Sequence, residues 1–295
     1  MALFLAMALW GSSFVALKYS FQEMHPLMII LGRMVVASLC FVPFMRSVSR
    51  GGIRRCHALP LLLMCLCEPC CYFLFETAAL TRTSASQAAM ITTMLPLMVA
   101  LSAGLVLGER ITLRTIGGFV VAAAGALWLS LGGRETLQAP QPALGNFLEF
   151  MAMVCATGYT ILMKRLSKEL HPFFLTGIQA FTGAVFFAPV LLFPSVRSSS
   201  LTWGGCGAIL YLGIVVSMGA YGLYNYGVSR IPASQASAFV NLIPAFSILL
   251  SYLILGERLA VWQWMACGLV FGGVLISQER LSFARKAEKT TFPVS

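Results

Sequence analysis

No aspartate occurs anywhere in this 295-residue sequence, and its acids are ten glutamates. Charge of either sign is scarce: Asp, Glu, Lys and Arg together make up 10% of the residues, against about 25% in soluble domains. A chain that is 59% apolar, with a mean hydropathy of +0.85, has too little polar surface to cover itself in water. That excludes a soluble globular domain and makes lipid the solvent for most of the chain. A phosphate-binding loop of the G-x-x-x-x-G-K type is also missing, which argues against direct driving by ATP; nothing in the sequence calls for another cofactor. The first apolar run follows Met1 with no basic n-region and no clear small-residue cleavage site, so it reads as a retained helix and not a signal peptide. Nine cysteines are present, and all except Cys56 fall in apolar runs, where they act as small apolar residues and imply no disulfide framework.

What the sequence does contain is a series of ten apolar stretches of about 18 to 24 residues, enough to cross the hydrocarbon layer as helices. They start near Ala2, Pro26, Ala58, Ser84, Thr112, Leu144, Pro172, Gly204, Ala233 and Leu259. The net charge of +10 sorts by loop and so needs no nucleic acid to explain it. With the amino terminus inside, 14 of the 20 Lys and Arg residues fall inside, five (Lys18, Arg82, Arg134, Arg197, Arg258) fall outside, and Arg33 lies within a span. That excess predicts both termini in the cytoplasm, with RKAEKTTFPVS from Arg285 part of a short basic tail.

The chain is also written twice. SASQAAMITTMLPLMVALSAGLVLGER at 84–110 and PASQASAFVNLIPAFSILLSYLILGER at 232–258 share 11 of 27 residues at an offset of 148. The segments EMHP at 23–26 and ELHP at 169–172 match at an offset of 146, as do Lys18 and Lys164. Two units of five helices follow: residues 1–132 (helices 1–5) and 144–279 (helices 6–10), with a connecting loop at 133–143 and the tail at 280–295. An odd number of spans per unit turns the second copy upside down relative to the first. Inverted repeats are a hallmark of secondary transporters, which open a central site to one side and then the other.

These features resemble the drug/metabolite transporter superfamily, specifically the EamA-type family with two EamA repeats. The resemblance rests on the duplicated five-helix unit, the prolines Pro96 and Pro244 upstream of each GER, Arg33 in helix 2 and the Gly-rich helix after each GER. It covers nearly the whole chain. It implies an all-α integral membrane protein of ten helices that exports or exchanges small metabolites, often amino acids or related zwitterions, through a central cavity of a bacterial inner membrane.

Candidate site residues follow from what is polar inside the apolar spans. Pro96 and Pro244 free the carbonyls of Thr92 and Val240 and kink their helices, and the matched Thr93 and Asn241 beside the kinks are expected to face the cavity. A packing kink with locally satisfied Thr and Asn is the simpler alternative. The GER motifs suit left-handed caps at Gly108 and Gly256, with Glu109 and Glu257 facing the amides of the following helix. His25 and His171 precede prolines and read as helix entries, with proton relay a lesser reading.

Glu68 and Glu76 have no counterpart in the second repeat, where Val216 and Tyr224 stand, so they belong to cargo chemistry more than to scaffold. Glu68 lies midway along helix 3, where a charge costs at least about 2.5 to 3.5 kcal/mol, so it should face protein or water. Such a carboxyl can bind a cationic group, exchange a coupling proton or simply bond a neighbouring helix. Pro69 disfavours helical geometry at Glu68. Residues 68, 72 and 76 share a face, which places Tyr72 between the acids. Arg33 and Glu76 share a depth and are expected to pair as an outer gate or brace. In helix 8, Tyr221 and Asn225 are candidates for the cavity wall, and Trp10 is one in helix 1. Glu149, near the outer end of helix 6, reads as wet.

The expected substrate site is therefore Glu68, Tyr72, Thr93, Tyr221, Asn225 and Asn241. The leading cargo is amino acids or related zwitterions, followed by lipophilic cations in exchange for protons. A membrane thiol redox enzyme using Cys67 and Cys70 is an alternative of another class, and a receptor or structural protein is a third. No second Cys pair supports a metal site.

Overall fold

Each apolar run forms a helix in the computed structural model, which describes residues 1–48, 54–108, 112–132, 135–137 and 139–277. The helices are α1 (Ala2–Ser20), α2 (Pro26–Val48), α3 (Arg55–Leu80), α4 (Ala85–Leu107), α5 (Leu113–Leu131), α6 (Pro142–Leu166), α7 (Pro172–Leu192), α8 (Trp203–Arg230), α9 (Ala233–Leu255) and α10 (Val261–Ser277). The first nine are long and apolar enough to cross a membrane, and α10 is a shorter apolar helix. Together they make a multi-pass, all-α membrane protein of ten helices. Helix α6 starts at Pro142, slightly before the expected Leu144, because proline suits the first helical position. The predicted basic tail lies outside the described residues.

Local chemistry sets the helix ends. Ser84, Thr112 and Thr202 cap α4, α5 and α8 by accepting from the amides of Gln87, Thr115 and Gly205. The rings of His25 and His171 accept from the amides of Leu27 and Phe173, so both histidines serve helix entry. Gly108 and Gly256 end α4 and α9 in the left-handed conformation, at φ 72° and 67°. Lys18 donates to the carbonyls of Leu80 and Thr83 at the α3–α4 turn, and its repeat mate Lys164 donates to Val228 and Ile231 at the α8–α9 turn. One lysine per repeat thus closes the end of the helix that carries each unit's irregular segment.

Packing mixes the two repeats. α1 lies against α8 and α9, α2 against α7 and α8, and α6 against α3 and α4. Small residues permit the closest approaches: a side chain at Gly11 would meet Phe246 Cβ at 2.6 Å, and one at Gly145 would meet Thr83 Cβ at 2.7 Å. α5 and α10 pair at the edge through Gly118, Ala122 and Gly125 against Ala266, Val270 and Gly273. Leu39, Leu105, Val120, Leu192, Leu253 and Leu275 are exposed, as suits a surface facing lipid.

Candidate substrate cavity and carboxyl site

The site begins with the break in α3. Pro69 has no amide hydrogen and pushes the preceding residue out of helical space, and Glu68 has φ −149° and ψ 120° in a widened turn spanning Leu66–Cys71. The freed main-chain carbonyl of Glu68 accepts from Gln179 Nε2 of α7 at 3.1 Å. Its carboxyl points the other way and accepts from the Tyr221 hydroxyl of α8. α8 widens over the matching segment, Tyr211–Ala220, so both central helices are irregular at mid-depth, and this irregularity holds side chains at the middle of the bundle.

Between these helices lies a cavity walled by Glu68, Tyr72, Glu76, Tyr159, Tyr221 and Tyr224, with Trp10, Ser13 and Thr92. Trp10 packs edgewise on Tyr221 and obliquely on Tyr224, with ring centroids 5.0 and 4.7 Å away, and its buried indole N–H has no protein partner. A second, smaller cavity lies beyond Glu68 and Tyr221, which line both, with Met34, Phe73, Gln179 and Ser217 among its other walls. The Tyr221–Glu68 hydrogen bond is therefore the partition between the two spaces. Six aromatic side chains, Phe14 included, and two carboxyls facing one cavity suit a small amphipathic ligand with an amine or cationic end.

The sequence candidates divide. Glu68, Tyr72 and Tyr221 reach the cavity, and so does Glu76. Thr93 does not: it is fully buried and donates to the Met90 carbonyl at 2.7 Å. Asn241 also lies off the wall, with neither amide atom partnered. The wall positions are instead one residue earlier, Thr92 and Val240, the residues whose carbonyls Pro96 and Pro244 release. The chain tightens there, with Leu95 N donating to Thr92 at 3.0 Å and a narrow turn over Phe239–Leu242, and this rotates the neighbouring side chains away. Asn225 is set behind the wall, where its amide donates to Thr176 at 2.9 Å and its oxygen accepts from Tyr159. The single Tyr159 O–H is shared with Gln179 Oε1, 3.2 Å away, so α6, α7 and α8 are tied to the α3 break by one buried network.

Three further expectations change. Arg33 and Glu76 do not pair. Arg33 Nε donates to Ser217 at 3.0 Å and its guanidinium lies 4.3 Å over the Phe73 ring, while Glu76 Oε1 accepts from Tyr72 at 2.9 Å. Arg33 faces α8 and Glu76 faces the cavity. Glu149 is not wet: it is 0% exposed, because α6 turns that face onto α3. Glu257 bonds the amides of Ala85 and Ser86, at 3.0 Å each, at the start of α4 in the other repeat. The following helix is served by Gln263, whose side chain accepts from Ala260 N at 2.7 Å. Glu109 lies outside the described residues.

Periodicity did not signal Tyr159, Gln179 or Thr176, since each is a single polar residue in an apolar helix. Comparing the helix 6 and helix 7 segments for such interruptions would have found them. The thiols of Cys67 and Cys70 are free and sit on either side of the break. Among the described residues no group of three or more His, Cys, Asp or Glu side chains is placed to hold a metal ion.

Known proteins resemble this chain along nearly its full length. It is 24% identical to the uncharacterized transporter YetK of Bacillus subtilis, over 92% of this chain and 84% of that one. It is 27% identical to the uncharacterized transporter YyaM of the same organism, over 90% and 88%. It is 24% identical to a probable terminal-alkyne amino-acid exporter of Streptantibioticus cattleyicolor, over 98% and 96%. A solved crystal structure at 20% identity superposes with a TM-score of 0.67 over 94% of this chain and 95% of the other, which shows a shared fold. The model of the EamA-like transporter family matches twice, over residues 1–131 and 143–277, one match for each half of the bundle. With both halves matched, this chain is a membrane transporter belonging to the EamA-like transporter family.

Proposed function

We propose that the chain exports or exchanges small amine-bearing metabolites, foremost amino acids or related zwitterions, by alternating access across a bacterial inner membrane, with both termini cytoplasmic. The observation that carries this reading is the Glu68 carboxyl, held at mid-depth by Tyr221 and opening on a cavity lined by Trp10, Tyr72 and Tyr224. An ammonium group can take the carboxyl and the aromatic faces, while a carboxylate finds a donor in Trp10 Nε1; the Ser13 and Thr92 hydroxyls are engaged with the Trp10 and Ala89 carbonyls. The relative named as an amino-acid exporter supports the same cargo class. The Tyr221–Glu68 partition would part when substrate takes over the carboxyl.

A second reading, export of lipophilic cations, is favoured by one feature of the cavity: among the described residues no Lys, Arg or His lines it. Such a cargo needs no partner for a carboxylate.

The test is uptake of a radiolabelled amino-acid pool into proteoliposomes preloaded with the unlabelled pool. The native protein should show saturable exchange. Glu68→Gln should lower it roughly tenfold or more, the loss expected when a charge-assisted hydrogen bond worth about 1.5 to 3 kcal/mol is removed. Equal exchange in both would reduce Glu68 to a packing role, and exchange of lipophilic cations alone would establish the second reading. A Cys67→Ser/Cys70→Ser double variant should transport normally; lost activity would favour the thiol redox alternative.

A further inference from the structure

Glu149 has no part in the cavity just described, yet it is a completely buried acid in a membrane helix. Both of its carboxyl oxygens lack any hydrogen-bond partner. Glu76, 3% exposed, has one oxygen on Tyr72 and the other, Oε2, unpartnered. The register of α3 against α6 brings these two acids together. The helices run antiparallel: a side chain at Gly145 would meet Ala79 O at 3.1 Å, and one at Gly158 would meet Cys67 Sγ at 3.0 Å. Glu149 lies one turn deeper than Gly145 on the same face, and Glu76 one turn deeper than Ala79, so the seam sets carboxyl against carboxyl.

Two facing, buried carboxylates with three oxygens lacking protein donors would repel each other and bear a desolvation cost. Among the described residues the cation whose charge reaches the pair is Arg33, which acts on Glu76 but forms no ion pair with either acid. From the elements around the seam, the titratable and charged groups are Tyr72 on α3, already bonded to Glu76, and Glu68 two turns deeper. Arg33 on α2 is held by Ser217, Tyr221 on α8 is bonded to Glu68, and Lys18 on α1 is held by the Leu80 and Thr83 carbonyls. The faces that α4 and α5 turn toward α6 carry no charge. One O–H on either acid, accepted by the other, satisfies the pair.

We propose that Glu76 and Glu149 form a proton-binding site in the α3–α6 seam, loaded and emptied through the cavity that Glu76 lines. Binding forms an O–H bond on one carboxyl and a hydrogen bond to the facing one; on release the proton passes by way of Glu76 to water when the cavity opens. The site lies beside Glu68 and apart from it, so proton and substrate can be held at once. Only the use of the proton to drive export rests on the transport reading.

The test is infrared spectroscopy of the purified full-length protein in lipid at neutral pH, with and without deuterium exchange. A deuterium-sensitive carbonyl band of a protonated carboxyl is expected in the native protein. It should be lost in Glu149→Gln and lost or displaced in Glu76→Gln. A spectrum unchanged by Glu149→Gln overturns the proposal. Replacing choline by sodium at constant pH separates the two kinds of cation: a band that sodium removes would identify a metal-cation site and overturn the assignment to protons. Should the variants fail to assemble, a hydrophobic carbodiimide, which adds to protonated carboxyls in apolar surroundings, supplies the result on the native protein. An adduct mapped by mass spectrometry to Glu76 or Glu149 supports the site, and its absence from both overturns it. None of these readings depends on substrate, so native exchange measured separately can fail or succeed on its own.

Discussion

At the scale of single residues, the centre of the molecule is governed by how few partners each polar group has. Glu68 relies on one hydroxyl, that of Tyr221, for its carboxyl and on Gln179 for its carbonyl. Tyr221→Phe keeps the aromatic wall and removes that donor. Loss of one such bond costs on the order of 1 kcal/mol, so substrate exchange should weaken roughly fivefold. Tyr224→Phe removes only the longer contact with Thr160, 3.3 Å, and should change exchange less. Half-saturation concentrations measured in proteoliposomes for the two variants check the order; equal effects would mean that Tyr221 acts through its ring.

At the scale of elements, close helix contact depends on where a Cβ has room. Within α10, Gly273 faces α5 so tightly that a methyl group would stand 2.6 Å from the Gly118 carbonyl, against backbone that cannot swing aside, while Gly268 has nothing within 4 Å. Gly273→Ala should therefore destabilise the α5–α10 pair by about 1 to 3 kcal/mol, the usual cost of overpacking. Gly268→Ala should be neutral or stabilising by up to about 1 kcal/mol through helix propensity. Thermal unfolding of the two variants in detergent distinguishes them; a matched loss in both would place the cost in the helix and not in the contact. The same reasoning explains the central helices. α3 and α8 share a widened middle, but only α3 has the proline that opens the turn at Glu68.

At the scale of the whole molecule, contacts between the repeats occur at both ends of the bundle. At one end Glu257, from the α9–α10 turn, takes the Ala85 and Ser86 amides and the Ser86 hydroxyl, which donates at 2.7 Å. This fastens the second repeat to the positive end of α4. At the other end Glu169, in the α6–α7 turn, meets His57 at 3.0 Å and Arg54 at 3.8 Å. Rocking of the repeats must loosen one end while the other stays closed. Glu257→Gln keeps the shape but loses the charge and one acceptor, about 1.5 to 3 kcal/mol, so local opening there should rise roughly tenfold or more. Amide hydrogen exchange at Ala85 and Ser86 reads this directly; unchanged exchange would show that other contacts hold that end.

The sequence by itself determined the membrane class, the ten helices, their starts to within three residues at the farthest (Ala58 expected, Arg55 observed), and the duplication. These follow from hydropathy, proline and glycine caps and self-similarity, all of which act locally along the chain. It also singled out Glu68, Tyr72, Glu76 and Tyr221, because a polar residue in an apolar span is conspicuous without any structure. Tertiary structure alone decided direction and partner. A shared depth in the membrane said nothing of whether Arg33 turned toward Glu76 or toward Ser217. A tightened turn before Pro96 and Pro244 exchanged Thr93 and Asn241 for Thr92 and Val240 on the wall. Glu257 reached across to the other repeat, and Glu149 came to lie dry beside Glu76, because helix packing joins residues far apart in sequence and no local pattern records which faces will meet.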